Sequence, residues 1–385
     1  MSSALDGLRT KLGRRGLAIG VLALAALFPL LFDPLATQMD VAIFVLAYVM
    51  MALGLNIVVG FAGLLDLGYV AFYAIGAYTV GWLASDHFSG VGGEGGIHVL
   101  VSKFVHTSDG IHVNFFLVLF AAVIVASVLG AVIGLPTLRL RGDYIAIVTL
   151  AFGEIIGRIA LNGDEITFGH YHLTAGQQAI SPVDQPFIPF AGYEFDSAFN
   201  LRPYYWTGLV LLCFTLFVNF RLRDSRLGRA WIALREDEVA AASMGVPLVR
   251  TKLLAYAAGA GLGGIAGAFL GSYNNAINSN QFQFSFSIFV LAMVILGGMG
   301  SIWGVTAGAF ALALIDRYLI PEVFDDLPSK VGLDFQLTQL SFGIFGFLLV
   351  LIMVLRPEGL FPERRRQIEL TEGVGTDESV FEARA

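Results

Sequence analysis

The sequence has few charged residues and almost no cysteine. Only 14% of its 385 residues are Asp, Glu, Lys or Arg, and its mean hydropathy is +0.75. Soluble domains carry about 25% charged residues, so this composition excludes a soluble globular protein. The single cysteine, Cys213, lies in an apolar run and cannot form an internal disulfide. We expect it to be a small buried hydrophobic side chain.

Several catalytic and nucleotide-binding motifs are also missing. The sequence contains no G-x-x-x-x-G-K-[ST], so the chain does not bind ATP through a P-loop. It contains no H-E-x-x-H or G-x-S-x-G and no histidine in a predicted span, which excludes recognisable hydrolase machinery. The spans also lack the chain of buried carboxylates that a proton-driven pump needs. We therefore predict a pore wall powered by another component, with no enzyme activity and no cofactor.

The polar residues indicate neither a nucleic-acid partner nor a metal. The net charge is −7, and no basic patch with interleaved aromatic residues is present. All six histidines fall in predicted outer loops, at positions 87, 98, 106, 112, 170 and 172. A zinc site formed by His98, His170 and His172 is the alternative, but their spacing matches no metal motif. We predict no metal site.

Ten apolar runs approach the ~20 residues that cross a bilayer. They lie at 17–32, 41–60, 65–84, 115–135, 143–161, 204–220, 253–273, 285–301, 303–320 and 336–355. If both termini are cytoplasmic, eighteen of the 23 Lys and Arg residues fall on that side, in agreement with the positive-inside rule. The sequence therefore predicts an all-α polytopic membrane protein of about ten transmembrane helices with both termini cytoplasmic.

The span count divides the chain into a cytoplasmic N-terminus at 1–16, a transmembrane domain at 17–357 and a charged cytoplasmic tail at 358–385. Outer loops are predicted at 85–114 and 162–203. The first span resembles a signal peptide, because four basic residues precede its apolar run. No small-x-small cleavage site follows it, which favours an uncleaved first span.

The predicted cytoplasmic loop 221–252 is a charged, alanine-rich segment between two apolar spans. It carries seven Lys or Arg and four Asp or Glu residues, with a helical stretch around 235–244. A transport protein that depends on an external motor must present a structured surface to it, and this loop is the only sizeable candidate. The alternative is a solvated loop that only fixes orientation by its positive charge.

Glycines form two regular ladders, one from Gly259 to Gly271 and one from Gly300 to Gly308, and one irregular series. A ladder with a spacing of four residues makes a flat helix face that another backbone can approach closely. We predict helix packing at Gly259, Gly263, Gly267, Gly271, Gly300, Gly304 and Gly308. Irregular glycines also interrupt the apolar run 54–81, which allows a hairpin or a discontinuous helix that lines a cavity.

Ionisable residues near or within the spans are candidates for the translocation path. Asp66 lies either on that path or in a water-accessible turn between two spans. Glu154 and Arg158 are four residues apart on one helix face, and they either bind the charged ends of a zwitterionic substrate or neutralise each other. The candidate path residues are Asn56, Asp66, Tyr69, Tyr73, Thr149, Glu154 and Arg158.

Three segments carry a resemblance to a known family. They are GLNIVVGFAGLLDLGYVAFYAIGAY, LPTLRLRGDYIAIVTLAFGEIIGRI and ALREDEVAAASMGVPLVRTKLLAYAAGAGLGGIAGAF, followed by LRPEGLF. From about residue 41 to 357 the chain resembles the permease subunits of branched-chain amino acid ABC importers, and among them the larger, M-type permease.

The resemblance implies a multi-pass protein of the bacterial inner membrane with several partners. The implied partners are a second homologous permease, two cytoplasmic ABC ATPases and a periplasmic substrate-binding protein. The pore itself is embedded in membrane lipid. The 221–252 loop would then hold the coupling helix that the ATPases grip. ATP-driven closure of the ATPases would switch the pore between outward-open and inward-open states.

The loop contains most of the importer coupling motif. Ala240, Ala241 and Gly245 match its Ala-Ala-x-x-x-Gly core, whereas Val239 stands where the motif has Glu, with Glu238 adjacent. The resemblance implies ATPase coupling by Arg235, Glu236, Asp237, Glu238, Ala240, Ala241 and Gly245.

The sequence does not identify a single cargo. Where the family typically has Thr-Gly-Gly and an Asn-Gly pair, this sequence reads ITFGHYHLTAGQQAI. The expected cargo is leucine, isoleucine, valine or a related amino acid, and the alternative is urea, a short amide or another amino acid. An alternative of another class is a self-sufficient secondary transporter or channel.

Overall fold

The computed structural model describes residues 20–91, 96–102, 109–137, 144–189, 192–325, 340–355 and 359–361. The N-terminus at 1–16, Arg139, Arg141, His106 and the tail beyond residue 361 lie outside the described residues. The helices, in chain order, are α1 (Gly20–Leu30), α2 (Thr37–Phe61), α3 (Val70–Leu83), α4 (Phe115–Thr137), α5 (Tyr144–Asn162), α6 (Arg202–Asp224), α7 (Arg226–Glu236), α8 (Glu238–Ser243), α9 (Leu248–Tyr273), α10 (Phe284–Gly297), α11 (Ile302–Phe324) and α12 (Ser341–Leu355).

The helices define an all-α polytopic membrane protein. Within the described residues, six helices are long and apolar enough to cross a membrane: α2, α4, α5, α6, α9 and α11. The other four predicted spans correspond to the shorter apolar helices α1, α3, α10 and α12. Helices α3 and α10 have 14 residues each, or about 21 Å at 1.5 Å per residue, which is less than the ~30 Å hydrocarbon core.

The connections between helices lie at two opposite ends of the bundle. At one end, called the α7–α8 end, the Arg235 guanidinium donates to the Gly60 carbonyl over 2.7 Å, and Phe361 N donates to Gly297 O. At the other, called the hairpin end, Ile180 and Ile277 form a β-bridge. The contacts therefore place the segments 62–69, 225–247 and 298–301 together, opposite the described parts of the segments around the short strands (84–91, 96–102, 109–114, 163–189 and 192–201) and 274–283.

Helices α2 and α9 form the centre of the bundle. The most apolar window of α2 is 89% buried and that of α9 is 78% buried, whereas the corresponding windows of α4, α5 and α6 are 22–28% buried. The outer helices therefore present most of their apolar surface to lipid or to another subunit, as expected when lipid tails are as apolar as Leu or Val side chains.

The α9 glycines lie where neighbouring backbones come closest. A Cβ on Gly259 would meet Val58 of α2 and the Gly54 carbonyl, and a Cβ on Gly267 would overlap the carbonyl oxygen of Tyr73 in α3. At Gly263 the neighbour is a Tyr69 side chain, and at Gly271 the nearest atom is 3.5 Å away. The small residues thus let α2 and α3 pack against α9 at backbone distance.

The glycine ladder Gly300, Gly304 and Gly308 differs from the sequence prediction at one position. Gly304 and Gly308 of α11 pack against Gly297 of α10, but Gly300 lies in the turn 298–301 and not in a helix. Its φ is +87°, a left-handed conformation that glycine adopts without a steric penalty. Asn56 Oδ1 accepts a hydrogen bond from Gly300 N at 2.9 Å.

The hairpin end is an ordered cap of short strands. These are β1 (Ala84–Ser85), β2 (Ile97–Val99), β3 (Ile111–Val113), β4 (Thr167–Phe168), β5 (Tyr171–His172), β6 (Phe187–Ile188) and β7 (Tyr193–Glu194). They form a sheet in the order β1-β3-β2 and the hairpins β4-β5 and β6-β7. Asp184 N donates to Ala84 O at 2.8 Å and Ser272 Oγ donates to Asp184 O at 3.1 Å, which ties the long 163–201 segment to α3 and α9.

We predict that two alanine substitutions in the same ladder behave differently. Gly267→Ala forces a Cβ into the Tyr73 carbonyl, whereas Gly271→Ala makes only ordinary van der Waals contact. Overpacking of this kind costs about 1–3 kcal/mol, so Gly267→Ala should lower the thermal unfolding midpoint of the detergent-solubilised protein and Gly271→Ala should not. Equal midpoints for the two variants would contradict the close packing of α3 on α9.

Candidate functional site

The predicted helical stretch at 235–244 is two helices that meet at Asp237. Helix α7 ends at Glu236, and Asp237 has extended backbone angles (φ −154°, ψ 111°). The Asp237 carboxylate accepts from Val239 N at 2.8 Å and from Ala240 N at 2.9 Å, so it caps α8. The predicted stretch is helical on both sides of this junction, because a short acidic side chain bonds to the following N–H groups and starts a new helix.

Gly245 ends α8 in a Schellman motif. Gly245 N donates to Ala242 O and Val246 N donates to Ala241 O, which is the paired bonding that this motif requires. The φ of Gly245 is +83°. A Cβ there would meet no atom within 4 Å, so the backbone conformation alone favours glycine at this position.

The α7–α8 segment is fixed to the transmembrane helices on two sides. Trp231 is fully buried and its indole N–H donates to Thr251 O at 2.8 Å in α9. Arg235 donates to the carbonyl of Gly60 in α2 at 2.7 Å. The Lys252 ammonium, only 3% exposed, pairs with the Glu238 carboxylate at 2.7 Å. A buried charge needs such a partner, and each of these contacts joins α7 or α8 to a long helix.

The outward face of α8 is apolar and exposed. Val239 is 66% exposed and Met244 is 86% exposed, while Ala241 is buried against the body of the protein. Exposed flexible apolar side chains on an anchored helix are suited to contact with another protein. Val239, which departs from the coupling motif, therefore points away from the bundle on the same surface.

Four of the predicted path residues are buried among packed helices. Tyr69 donates to Gly259 O at 2.9 Å, and Thr149 accepts from Leu67 N at 3.0 Å. Asp66 lies in the connection between α2 and α3, as the turn alternative has it, but the side chain is buried there, with 2% of its surface exposed. One Asp66 oxygen accepts from the nearby Gly68 N at 2.9 Å. Like these three, Asn56 is buried and bonds to backbone.

The other predicted path residues lie on two cavities. Glu154 and Arg158 are exposed on α5 and line a cavity of about 420 Å³ beside the segment that precedes α10. Within the described residues they form no ion pair, so neutralisation of each other is not observed. Tyr73 lines a second cavity of about 420 Å³. The structure thus separates the seven residues into three groups.

The second cavity contains a charged pair that sequence reasoning missed. Asp316 and Arg317 lie inside the predicted span 303–320 and line this cavity. Adjacent ionisable residues in an apolar run are a functional signal, and applying that rule to every span would have found them.

A metal site has no support among the residues that the structure describes, where no group of three His, Cys, Asp or Glu side chains is placed to hold an ion. His112 is instead buried between two carboxylates, with Asp184 at 2.7 Å and Asp86 at 3.1 Å, and it stacks on His98. Burial raises the pKa of the Asp184 carboxyl, because desolvation disfavours its charged form, and His112 partly opposes this. These groups stabilise the cap at the hairpin end.

Comparison with known proteins identifies the family of this chain. The family profile described as "Branched-chain amino acid transport system / permease component" matches residues 38–353. The chain belongs to this permease family. It is a multi-pass membrane protein, and the part of the chain that the structure describes contains six helices long enough to span a bilayer.

Individual relatives carry names of the same kind. The chain is 35% identical to the high-affinity branched-chain amino acid transport system permease protein LivM of Escherichia coli strain K12, over 97% of this chain and 81% of that protein. It is 28% identical to a probable LivM of Methanocaldococcus jannaschii, over 82% of this chain and 91% of that protein. It is 26% identical to the permease LivH of Escherichia coli strain K12, over 78% and 91% of the two chains. No solved structure matches the chain.

We predict that position 245 of this permease distinguishes residues by backbone conformation. Gly245→Asn should be tolerated, because asparagine adopts left-handed angles, whereas Gly245→Val should cost about 1–2 kcal/mol in the local structure. Hydrogen exchange of residues 238–246 should be faster in the valine variant and unchanged in the asparagine variant. Unchanged exchange in both variants would contradict the Schellman motif.

Proposed function

We propose that this chain is a permease subunit that forms half of the translocation pore of an ATP-binding-cassette importer in the bacterial inner membrane. The cargo is leucine, isoleucine, valine or a related amino acid, delivered by a periplasmic binding protein. The anchored α7–α8 segment is the observation that carries the proposal, because it presents an exposed apolar helix from a segment that is bonded to both α2 and α9. Membership of the permease family supports it.

In the proposed orientation, the α7–α8 end faces the cytoplasm. That end contains the seven Lys and Arg residues of the 221–252 loop, and the positive-inside rule favours their cytoplasmic location. The hairpin end then faces outward, where the ordered 163–201 cap is accessible to a binding protein. This orientation gives ten spans with both termini cytoplasmic, the transmembrane permease domain at 17–357 and outer loops near 85–114 and 162–203.

The contacts around α8 suggest how ATP hydrolysis moves the pore. ATPase subunits press on the exposed face of α8, which carries Val239, Ala240 and Met244. Displacement of α8 pulls on α9 through the Lys252–Glu238 ion pair. It also pulls on the end of α2 through the hydrogen bond from Arg235 to Gly60. The chain itself needs no nucleotide site, because the ATPases hydrolyse ATP.

The partners follow from the same arrangement. The poorly buried apolar helices α4, α5 and α6 offer surface for a second, homologous permease as well as for lipid. The relatives support such a pair, since the chain is similar to both LivM and LivH. Glu154 and Arg158, exposed on α5, are then placed on the shared pore and not in lipid, because lipid-exposed charges are costly. Asn56, Asp66, Tyr69 and Thr149 support the path wall from within the bundle.

We predict ATP-dependent leucine uptake by proteoliposomes that hold this chain, its partner permease, the ATPases and the binding protein. Isoleucine and valine should suppress the uptake, while urea should not. Omission of the ATPases should abolish it, which separates an importer from a channel or a self-sufficient transporter. Uptake of urea in place of leucine would move the cargo to the amide class, and uptake without ATPases would refute the importer.

We predict that Arg235→Ala uncouples ATP hydrolysis from transport. The variant loses a charge-assisted hydrogen bond to the Gly60 carbonyl, a contact worth about 1.5–3 kcal/mol. Leucine uptake per ATP hydrolysed should fall about tenfold while hydrolysis continues. Arg229→Ala is the matched control, since Arg229 lies in the same helix and donates to the nearby Asp224 carbonyl, not to α2. Equal uptake ratios in the two variants would exclude a role for the Arg235 bond.

A further inference from the structure

A cavity of about 420 Å³ opens towards the hairpin end, between α2, α3, α10 and α11. Its volume lies within the ~300–1,000 Å³ of small-molecule sites. Its two charged residues, Asp316 and Arg317, begin the π-helical part of α11 (Ile315–Phe324). Charged residues within an apolar helix are expensive unless they serve a function.

The guanidinium of Arg317 is held in one orientation by aromatic residues of α2. Its Cζ lies 3.8 Å from the centre of the Phe44 ring. The Tyr48 hydroxyl accepts from Nη2 at 2.8 Å and from Nε at 3.2 Å. A guanidinium has five N–H donors, so these two bonds leave three donors for a ligand. A planar group oriented in this way suits bidentate binding of a carboxylate.

Asp316 places a negative charge beside this cation without forming a hydrogen bond to it. Its nearest oxygen is 3.7 Å from Arg317 Nε, which is an ion pair but not a hydrogen bond. The Asp316 side chain is 23% exposed. Four amide side chains also line the cavity and can donate or accept hydrogen bonds: Asn274, Asn280, Gln281 and Gln283. The site therefore offers separate partners for an ammonium and a carboxylate.

The remaining wall is aromatic. Tyr73, Phe286 and Phe289 line the cavity, and Phe286 packs against both Tyr48 and Tyr73 with ring centroids 5.4 and 5.5 Å apart. Such a wall takes an aliphatic side chain by burial of apolar area. Among the described lining residues, only Asp316 and Arg317 can offer a charge to an acidic or basic side chain.

We propose that this cavity binds a neutral amino acid as a zwitterion on its way from the hairpin end into the pore. Arg317 binds the carboxylate, Asp316 binds the ammonium group, and the aromatic wall contacts the aliphatic side chain. The inference rests on the proposed function and deepens it, because it gives the permease its own contact with the cargo.

The competing interpretation is a closed latch in which Arg317 only joins α11 to α2. A latch would bind no amino acid and would not distinguish ligands by their charged ends. The test therefore measures binding to the permease itself. The full-length chain is reconstituted alone in nanodiscs, without the binding protein, and saturation-transfer NMR follows the methyl signals of leucine. Isoamylamine lacks the carboxylate of leucine and isovalerate lacks the carbon that bears its ammonium group, so these two compounds report on the two charged partners.

The wild-type chain should saturate leucine at least tenfold more strongly than either analogue. Arg317→Gln should lose this preference over isoamylamine, and Asp316→Asn should lose the preference over isovalerate. Gln281→Trp is a second test that leaves the Arg317 contacts in place, because Gln281 is exposed on the cavity wall and a bulky side chain there should block leucine. Arg229→Gln, at the opposite, α7–α8 end of the bundle, is the control and should change nothing.

Leucine signals that are absent from the wild type, or equal in wild type, Arg317→Gln and Gln281→Trp, would overturn the proposal. Uptake by the complete system tests the proposed function separately. Uptake of leucine without binding that depends on Arg317 would remove only this cavity from the path. Binding that depends on Arg317 in a chain that supports no leucine uptake would refute the importer function and leave the amino-acid site.

Discussion

The structure depends on the close approach of three backbones at the centre of the bundle. Gly259 of α9 lies against the Gly54 carbonyl of α2, and Gly267 of α9 lies against the Tyr73 carbonyl of α3. In lipid there is no hydrophobic force to bring helices together, so packing of small residues has to supply the contact. Because α2, α3 and α9 form one tight unit, irregular backbone can exist beside them without meeting lipid.

The irregular backbone is the segment 62–69, between the π-helical end of α2 and the start of α3. In a bilayer each backbone N–H needs an internal partner, and side chains from other helices provide several of them. Thr149 of α5 accepts from Leu67 N, and Ser287 of α10 accepts from Val70 N, each at about 3 Å. Asp66 accepts from Gly68 N. The break in the helix is thus a built part of the bundle that joins α3 to α5 and α10.

Much of this architecture could be predicted from sequence because it follows from periodic patterns. The apolar runs gave the order of the helices, and the ladder from Gly259 to Gly271 lies on the face that α2 and α3 contact. The features that were missed depend on single residues. Asp237 breaks a helix-forming segment because its side chain caps the next helix, and a composition average cannot show that.

The candidate site was less predictable than the fold. Which polar residue faces a cavity is decided by tertiary packing, and spacing along one helix does not report it. Tyr69 and Tyr73 are one helical turn apart, yet Tyr69 bonds to the α9 backbone and Tyr73 lines a cavity. Arg317 is positioned by Phe44 and Tyr48, which are more than 200 residues away in the chain.

The bonds of the α7–α8 segment also limit how the segment can be exchanged between related chains. Three side chains of the segment bond to long helices. Trp231 and Glu238 contact adjacent residues at the start of α9, and Arg235 contacts the end of α2. Replacement of the segment by one without a carboxylate at position 238 would therefore leave Lys252 buried without a counter-ion. A chimaera that keeps all three contacts has to take the end of α2, the segment and the start of α9 together.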